Sequence, residues 1–458
     1  MRIELVSHAS VLIGSGDCVI WTDPWLDGKA FNNSWALLPK AHFDHASLDQ
    51  IDYLWISHEH PDHFHIPTLR ALPASFKGRV TILYQKLNSE KMIAAFKQLG
   101  FRNIRLLPHR QTTHLTDHTA VYSYYVGVMD SCLAVKAEGQ DTILNANDAQ
   151  ILAHDCQTIR GDVGDIATLL TQFSIAFYSG LPNPDDRLRR MAQGILQRIS
   201  GNHRDLRVKR TIPFASFIYY CSEENRYINP YHNTPRVVSD YFAARNQEVA
   251  VLYPGDVFDS SEPYDSGEAL RRYDQLYSDA DHLTYDSPGH VDFHLLRESF
   301  LRFCDDLRER YPSILLKILR PVTVRIPDLG KTAVLSLGRH SFVESSDSLV
   351  PDLTVNSQAL HFCFANPYGF QTLGVSGRGQ LRADTINWRM HHLLFLLNNA
   401  EISLRPTRLF SSNNLTFLRE RSSGGLNLLS YVGRRMRRIS PLEASETPRD
   451  ENTFSTRS

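Results

Sequence analysis

The chain of 458 residues has no apolar run of about 20 residues, the length a membrane-crossing helix needs. Its start, MRIELVSHASVLIGSGD, has no apolar block behind a basic segment, so neither a membrane span nor a secretory leader is expected. The six cysteines, Cys18, Cys132, Cys156, Cys221, Cys304 and Cys363, form no CxxC pair and no CxH element. A zinc ribbon, a local iron-sulfur cluster and the spacing of a Rieske centre are thereby excluded. Scattered thiols suit a reducing compartment, and a cytoplasmic location is expected. An excess of one charge sign is also missing: 49 basic residues face 50 acidic ones, giving a formal charge of -1. Neither nucleic acid nor an acidic membrane surface is an expected partner. With 42% apolar and 22% charged residues the composition is that of a folded globular chain, not a disordered one.

Short β-rich runs punctuated by Gly, Asp, Pro or His fill the first quarter, at residues 2–5, 10–13, 18–22 and 53–57. Further strands are expected at 80–84, 120–125, 131–137 and 142–145, with a helix over 89–99 closed by Gly100. Strands alternating with helices place the sheets in layers with helices outside, the pattern of half an αββα sandwich. A charged helical period runs over 184–200, a strand-like stretch over 211–220 and a helix over 235–246, which leads into the buried-strand pattern VAVLYPGD. The predicted organisation is a metal-binding domain at 1–260, a linker at 261–289, a C-terminal α+β domain at 290–433 and a disordered tail at 434–458. In the C-terminal domain a helix begins near His290, strands cover 322–326, 333–337 and 360–364, and an apolar helix covers 385–399.

Chemistry concentrates in His58-Glu59-His60-Pro61-Asp62-His63, immediately after the apolar run YLWIS. Three imidazoles and a carboxylate at the end of a buried strand each need a partner, and packing alone does not supply so many. Two cations do: His58 and His60 face one, and Asp62 and His63 turn towards a second.

HEHPDH resembles the HxHxDH signature of the metallo-β-lactamase fold superfamily. His8-Ala-Ser-Val-Leu-Ile, Thr22-Asp23-Pro24-Trp25, Ala30-Phe31 and Trp35 resemble the branch that contains CMP-N-acetylneuraminate hydroxylase. The resemblance implies an α/β fold, an αββα metallo-β-lactamase sandwich followed by the C-terminal α+β domain, with a binuclear site at one edge and Asp23 below it. It also implies a bridging carboxylate after a strand, for which Asp148 in ILNANDAQI is the candidate, and a histidine one motif earlier. This chain has Val128-Met129-Asp130-Ser131 there, 18 residues before Asp148. Asp130 is therefore either a ligand in place of histidine or a plain strand-entry carboxylate. The histidine expected after a late strand is missing too, and Glu223, Glu224 and His232 are the nearby residues able to replace it, Glu223 and His232 being the ones carried forward as metal ligands.

A carboxylate in place of an imidazole makes the site harder and more anionic, moving its preference from zinc towards iron or manganese. The expected cofactor is two Fe ions, with two Zn or Mn as the alternative. The expected activity is that of a nonheme diiron oxygenase, a hydroxylase or N-oxygenase, with Asp148 and Asp130 as catalytic carboxylates. Its partners are dioxygen, a small-molecule or carrier-bound substrate, and an external electron donor such as a ferredoxin or reductase. The alternative is a zinc-dependent hydrolase of an ester, amide, lactone or phosphodiester, using metal-bound water. Apolar stretches in the C-terminal domain suit a substrate pocket, an intramolecular interface or a homodimer contact. Gly374 to Gly379 reads as a glycine-rich turn, Arg434 to Arg438 as a solvated basic cluster, and His391-His392 as helix packing or pocket lining.

Overall fold

The computed structural model describes residues 1–415 except 88, 128, 280–282 and 412–413. The expected tail at 434–458 and its arginine cluster lie outside the described residues. Two seven-stranded sheets face each other. The first runs Val257–Asp259, Arg2–Ser7, Ser10–Gly14, Val19–Thr22, Tyr53–Ile56, Thr81–Gln85, Asn103–Leu107, and the second runs Glu248–Val249, Arg210–Phe214, Thr168–Gln172, Ile143–Asn145, Asp130–Ala137, Thr119–Val126, Thr112–His114. Each sheet joins an antiparallel meander to a parallel set, and helices supply the crossovers.

Side-chain alternation along the strands explains the layers. Trp55 and Leu83 point between the sheets with Leu133, Val135, Ile143 and Leu170, while Leu54, Ile56, Ile82 and Tyr84 point outward beneath helices Ile66–Ala71, Ala74–Arg79 and Lys91–Gln98. On the second sheet Cys132, Ala134, Leu144 and Leu169 turn the other way, towards helix Ala153–Val163. Both faces of each central strand are buried, so these strands read as nearly continuous apolar runs. Each buried Leu, Ile or Val contributes roughly 1.5–3 kcal/mol.

In the sandwich three elements differ from expectation. The stretch 211–220 is two strands, Arg210–Phe214 and Ile218–Tyr220, because Ala215 takes a left-handed φ of 50° and its N–H donates to the His8 carbonyl at 2.8 Å. Ile218–Tyr220 then pairs with Trp35–Leu37 in a separate three-stranded sheet. Most of VAVLYPGD is not a strand: Val251 N–H donates to Ser266 Oγ at 3.0 Å and Tyr253 N–H to Asp256 Oδ2 at 2.9 Å, so side chains replace the ladder. Residues 261–289, expected as a linker, contain helix Gly267–Ser278, whose Ala269, Leu270 and Tyr273 enter the core between the sheets.

A five-stranded sheet follows, ordered Ser341–Ser345, Lys331–Ser336, Val322–Ile326, Leu353–Val355, Gly379–Leu381. Residues 360–364 are not a strand but part of helix Ser357–Ala365, whose buried Ala359, Leu360, Cys363 and Phe364 recur at helical spacing. Gly374 lies in helix Gly369–Ser376, and Gly377 closes that helix with a φ of 67°. His391 is buried in helix Ile386–Asn399, where its Nδ1–H donates to the Asn387 carbonyl at 2.8 Å. Phe300, Phe303, Phe342, Phe364, Phe370 and Phe395 form the core of this unit. It is laced to the sandwich at Gly180, whose carbonyl accepts from Leu381 N–H at 2.7 Å. Gly180 has a φ of 73°, and a Cβ there would stand 1.7 Å from the Gly379 carbonyl oxygen.

Candidate metal centre

Strand Tyr53–Ile56 ends at buried Ser57, and the chain turns through 58–63 before helix Ile66–Ala71. The turn is held by His63 N–H and Phe64 N–H, which donate to the His60 carbonyl at 3.0 and 2.7 Å. His65 then caps the helix, its Nδ1 accepting from Thr68 N–H at 3.3 Å. Strand end, turn and helix start together aim the imidazoles inward.

The ring nitrogens that do not face the cluster are tied from behind. Asp23 takes Ser57 N–H on Oδ1 at 2.8 Å and the Ser57 hydroxyl on Oδ2 at 2.7 Å, and it holds His63 Nδ1 at 2.8 Å. Ser57 Oγ also meets His58 Nδ1 at 2.9 Å. His58 and His63 therefore present Nε2. Support of this kind from behind orients metal-binding rings and raises their basicity.

Two tight groups result, His58, His60 and Asp148 in one and His8, Asp62 and His63 in the other, with the ligand atoms of each within 4.8 Å of one another. His58 Nε2 is 2.7 Å from His60 Nδ1 and 3.8 Å from Asp148 Oδ2. His63 Nε2 is 3.4 Å from Asp148 Oδ1 and 3.3 Å from Asp62 Oδ2. The two oxygens of Asp148 thus face the two groups, the disposition a bridging carboxylate requires. Asp130 opens its strand at the rim, its Oδ1 3.9 Å from His58 Nε2, outside both tight groups.

The polar atoms fit a pair of cations. Asp62 Oδ1, His63 Nε2, Asp148 Oδ1 and His8 Nδ1 are buried without a hydrogen-bond partner, a costly state that a cation relieves for the ligand atoms. Burial and the Asp148 charge push the Asp130 carboxyl up to about 7. Burial holds His58 well below the ordinary imidazole value against the pull of Asp148. On His63 burial acts the same way, but Asp148, Asp62 and Asp23 together outweigh it and raise the ring well above its ordinary value.

His8 was not among the ligands expected from sequence. It follows strand Arg2–Ser7, 54 residues before Asp62, and its Nε2 is 3.2 Å from Asp62 Oδ2. The signal available was a histidine that both neighbouring strands bury. Glu223 and His232 are not brought to the cluster: Glu223 takes the Ser287 hydroxyl, and His232 packs its ring 5.4 Å from that of Tyr220. Glu224 is held by Arg378. That ion pair matters to the site from a distance, because Arg378 also donates to the Asn32 carbonyl at 3.0 Å and to Gln358 Oε1 at 2.8 Å. Phe31, Asn32 and Asn33 are all left-handed, with φ of 50°, 56° and 56°, and the Phe31 ring lies 6.1 Å from that of His60.

Residues 2–134 match the model of the beta-lactamase superfamily domain. This region is a beta-lactamase superfamily domain. The lactamase-type domain carries the whole HEHPDH turn. Over 280 residues the chain is 26% identical to the cytidine monophosphate-N-acetylneuraminic acid hydroxylase of Danio rerio, covering 57% of this chain and 46% of that protein. The chain spans less than half the length of the curated relatives it matches. Among solved structures, isothiocyanate hydrolase from Delia radicum gut bacteria superposes with a TM-score of 0.42 at 15% identity, covering 57% of this chain and 99% of that one. CmlA, a diiron beta-hydroxylase from Streptomyces venezuelae, superposes with a TM-score of 0.39 at 15% identity, covering 56% and 53%.

Among the described residues no helix is long and apolar enough to cross a membrane.

Proposed function

We propose that this protein is a binuclear metalloenzyme of the nonheme diiron oxygenase type, with two iron ions held by His8, His58, His60, Asp62, His63 and Asp148. The observation that carries the reading is Asp148, whose two oxygens face separate imidazole groups while Asp130 adds a further carboxylate at the rim. Similarity to a hydroxylase along more than half of the chain supports it. An iron pair supplies one-electron redox chemistry towards dioxygen, which zinc does not. One oxygen atom enters a C–H or N–H bond of a small or carrier-bound substrate, and the other leaves as water with two electrons and two protons from an external donor.

The chain's own residues do the positioning. Ser57 and Asp23 fix which nitrogen His58 and His63 present, and Asp148 spans the two groups. Asp130, with its carboxyl near 7, can hold a proton on the substrate side of His58 at neutral pH. The C-terminal unit buttresses the 31–33 loop beside His60 through Arg378.

A zinc hydrolase is the second reading, favoured by the four imidazoles in the two groups, since nitrogen-rich sets suit zinc. Isotope labelling separates the two. The iron-loaded protein, reduced and exposed to labelled dioxygen, incorporates one labelled atom into product. Label arriving only from water, with full activity in the zinc form, establishes the hydrolase instead.

A further inference from the structure

Several cations on the segments that frame the cluster are neutralised. Lys29 pairs with Asp286, Lys91 with Glu59 at 3.6 Å, and Arg378 with Glu224. Among the described residues Arg198 forms no ion pair: its Nη2 donates to Gln172 Oε1 at 3.3 Å, a neutral acceptor. Its place in helix Pro184–Leu206 makes this unusual. Ile195, Ile199 and Asn202 are buried at positions three before, one after and four after, so Arg198, itself half-buried, lies at the edge of the buried stripe of the helix. A half-buried guanidinium gives up part of its water, a loss that an anion compensates better than a neutral amide does.

Two hydrogen bonds link the side chain to the residue before Asp148. Gln172 ends strand Thr168–Gln172, and its N–H donates to the carbonyl of Asn147, the residue before Asp148, at 2.7 Å. Burial lowers the guanidinium to about 10, and Asp148 is the charge that opposes the shift.

We propose that Arg198 is the anion-recognition residue of the substrate site, binding an oxyanion of the substrate, a carboxylate or a phosphate, next to the Asp148 bridge. The proposal rests on the metalloenzyme reading above and adds its substrate class. A planar, two-pronged donor suits both oxyanions.

The test is calorimetric titration of the metal-loaded full chain with inorganic phosphate in one arm and acetate in the other, for wild type, Arg198→Gln and Arg198→Lys, with metal content measured in each. The expected result is that one anion loses about 10- to 100-fold in affinity in Arg198→Gln. Arg198→Lys recovers part of it, and both variants keep the wild-type metal content. The arm that responds names the oxyanion. Equal affinity for both anions in wild type and Arg198→Gln, no binding of either anion, or loss of metal in both variants overturns the proposal. Repeating the titration on chelator-stripped protein separates it from the reading it rests on. Anion binding that depends on Arg198 in a chain that takes up no metal at all keeps the anion site and removes the metalloenzyme.

Discussion

At the ends of strands Tyr53–Ile56 and Ile143–Asn145, imidazoles and carboxylates face one another, and Asp62 Oδ1, His63 Nε2 and Asp148 Oδ1 lack hydrogen-bond partners. In the C-terminal unit the corresponding buried space is filled ring against ring, with Phe370 stacked on Phe395 at 3.9 Å and Phe364 edge-on to Phe300 at 5.1 Å. One region leaves polar groups unsatisfied inside a frame that is already packed, and the other has little except packing. Side chains of the first kind are dispensable to folding and decisive for chemistry, whereas those of the second kind are the reverse.

The comparison breaks first at Asp148. Asp148→Ala should remove at least one of two bound ions, read by elemental analysis, and lower turnover by more than about 100-fold, beyond what loss of a supporting residue costs. The metal-free variant should unfold at the same denaturant concentration as the metal-free parent. Phe364→Ala should do the opposite, costing about 3–5 kcal/mol in urea denaturation while the protein that remains folded keeps its metal. Arg378→Met tests the seam between the regions. It leaves Glu224 buried without its cation and should cost about 3 kcal/mol, and Arg378→Met with Glu224→Leu should restore most of that.

The smallest effect is a pH dependence. Burial lowers His232 from 6.5 to about 4. Between those values the unfolded chain binds the proton and the folded one does not, so stability is full above 6.5 and falls as pH drops towards 4. The change is at most about 3 kcal/mol, and His232→Phe should flatten that slope in denaturation curves measured across the window.

What could be read from sequence follows the same division. The HEHPDH turn was legible because its ligands are contiguous and end an apolar run, and Asp148 because it follows a strand. Continuous apolar runs made the sandwich legible too, since Leu54, Trp55 and Ile56 are all apolar and serve two different cores. His8 was not, because only the pairing of Arg2–Ser7 with its neighbours carries it to Asp62. Arg198 was hidden among the other charged residues of its helix. Residues 360–364 were misread because an apolar run of five fits a strand or a buried helix turn equally well. At 211–220 the strand pattern was right on both sides of Ala215, and only the hydrogen bond that Ala215 N–H donates to the distant His8 carbonyl marks the break.

Asp148 follows a strand of the second sheet, and His8 and the 58–63 turn follow strands of the first. On the proposed metal reading, cations shared across them would be a clasp between two layers that elsewhere meet through the apolar side chains of one core. Taking the metal away opens the clasp and spares the packing. The two layers should then loosen from the metal edge inwards, with amide exchange rising first at Ser57 to His63 and at Asn147 to Ala149, well before the strand centres respond.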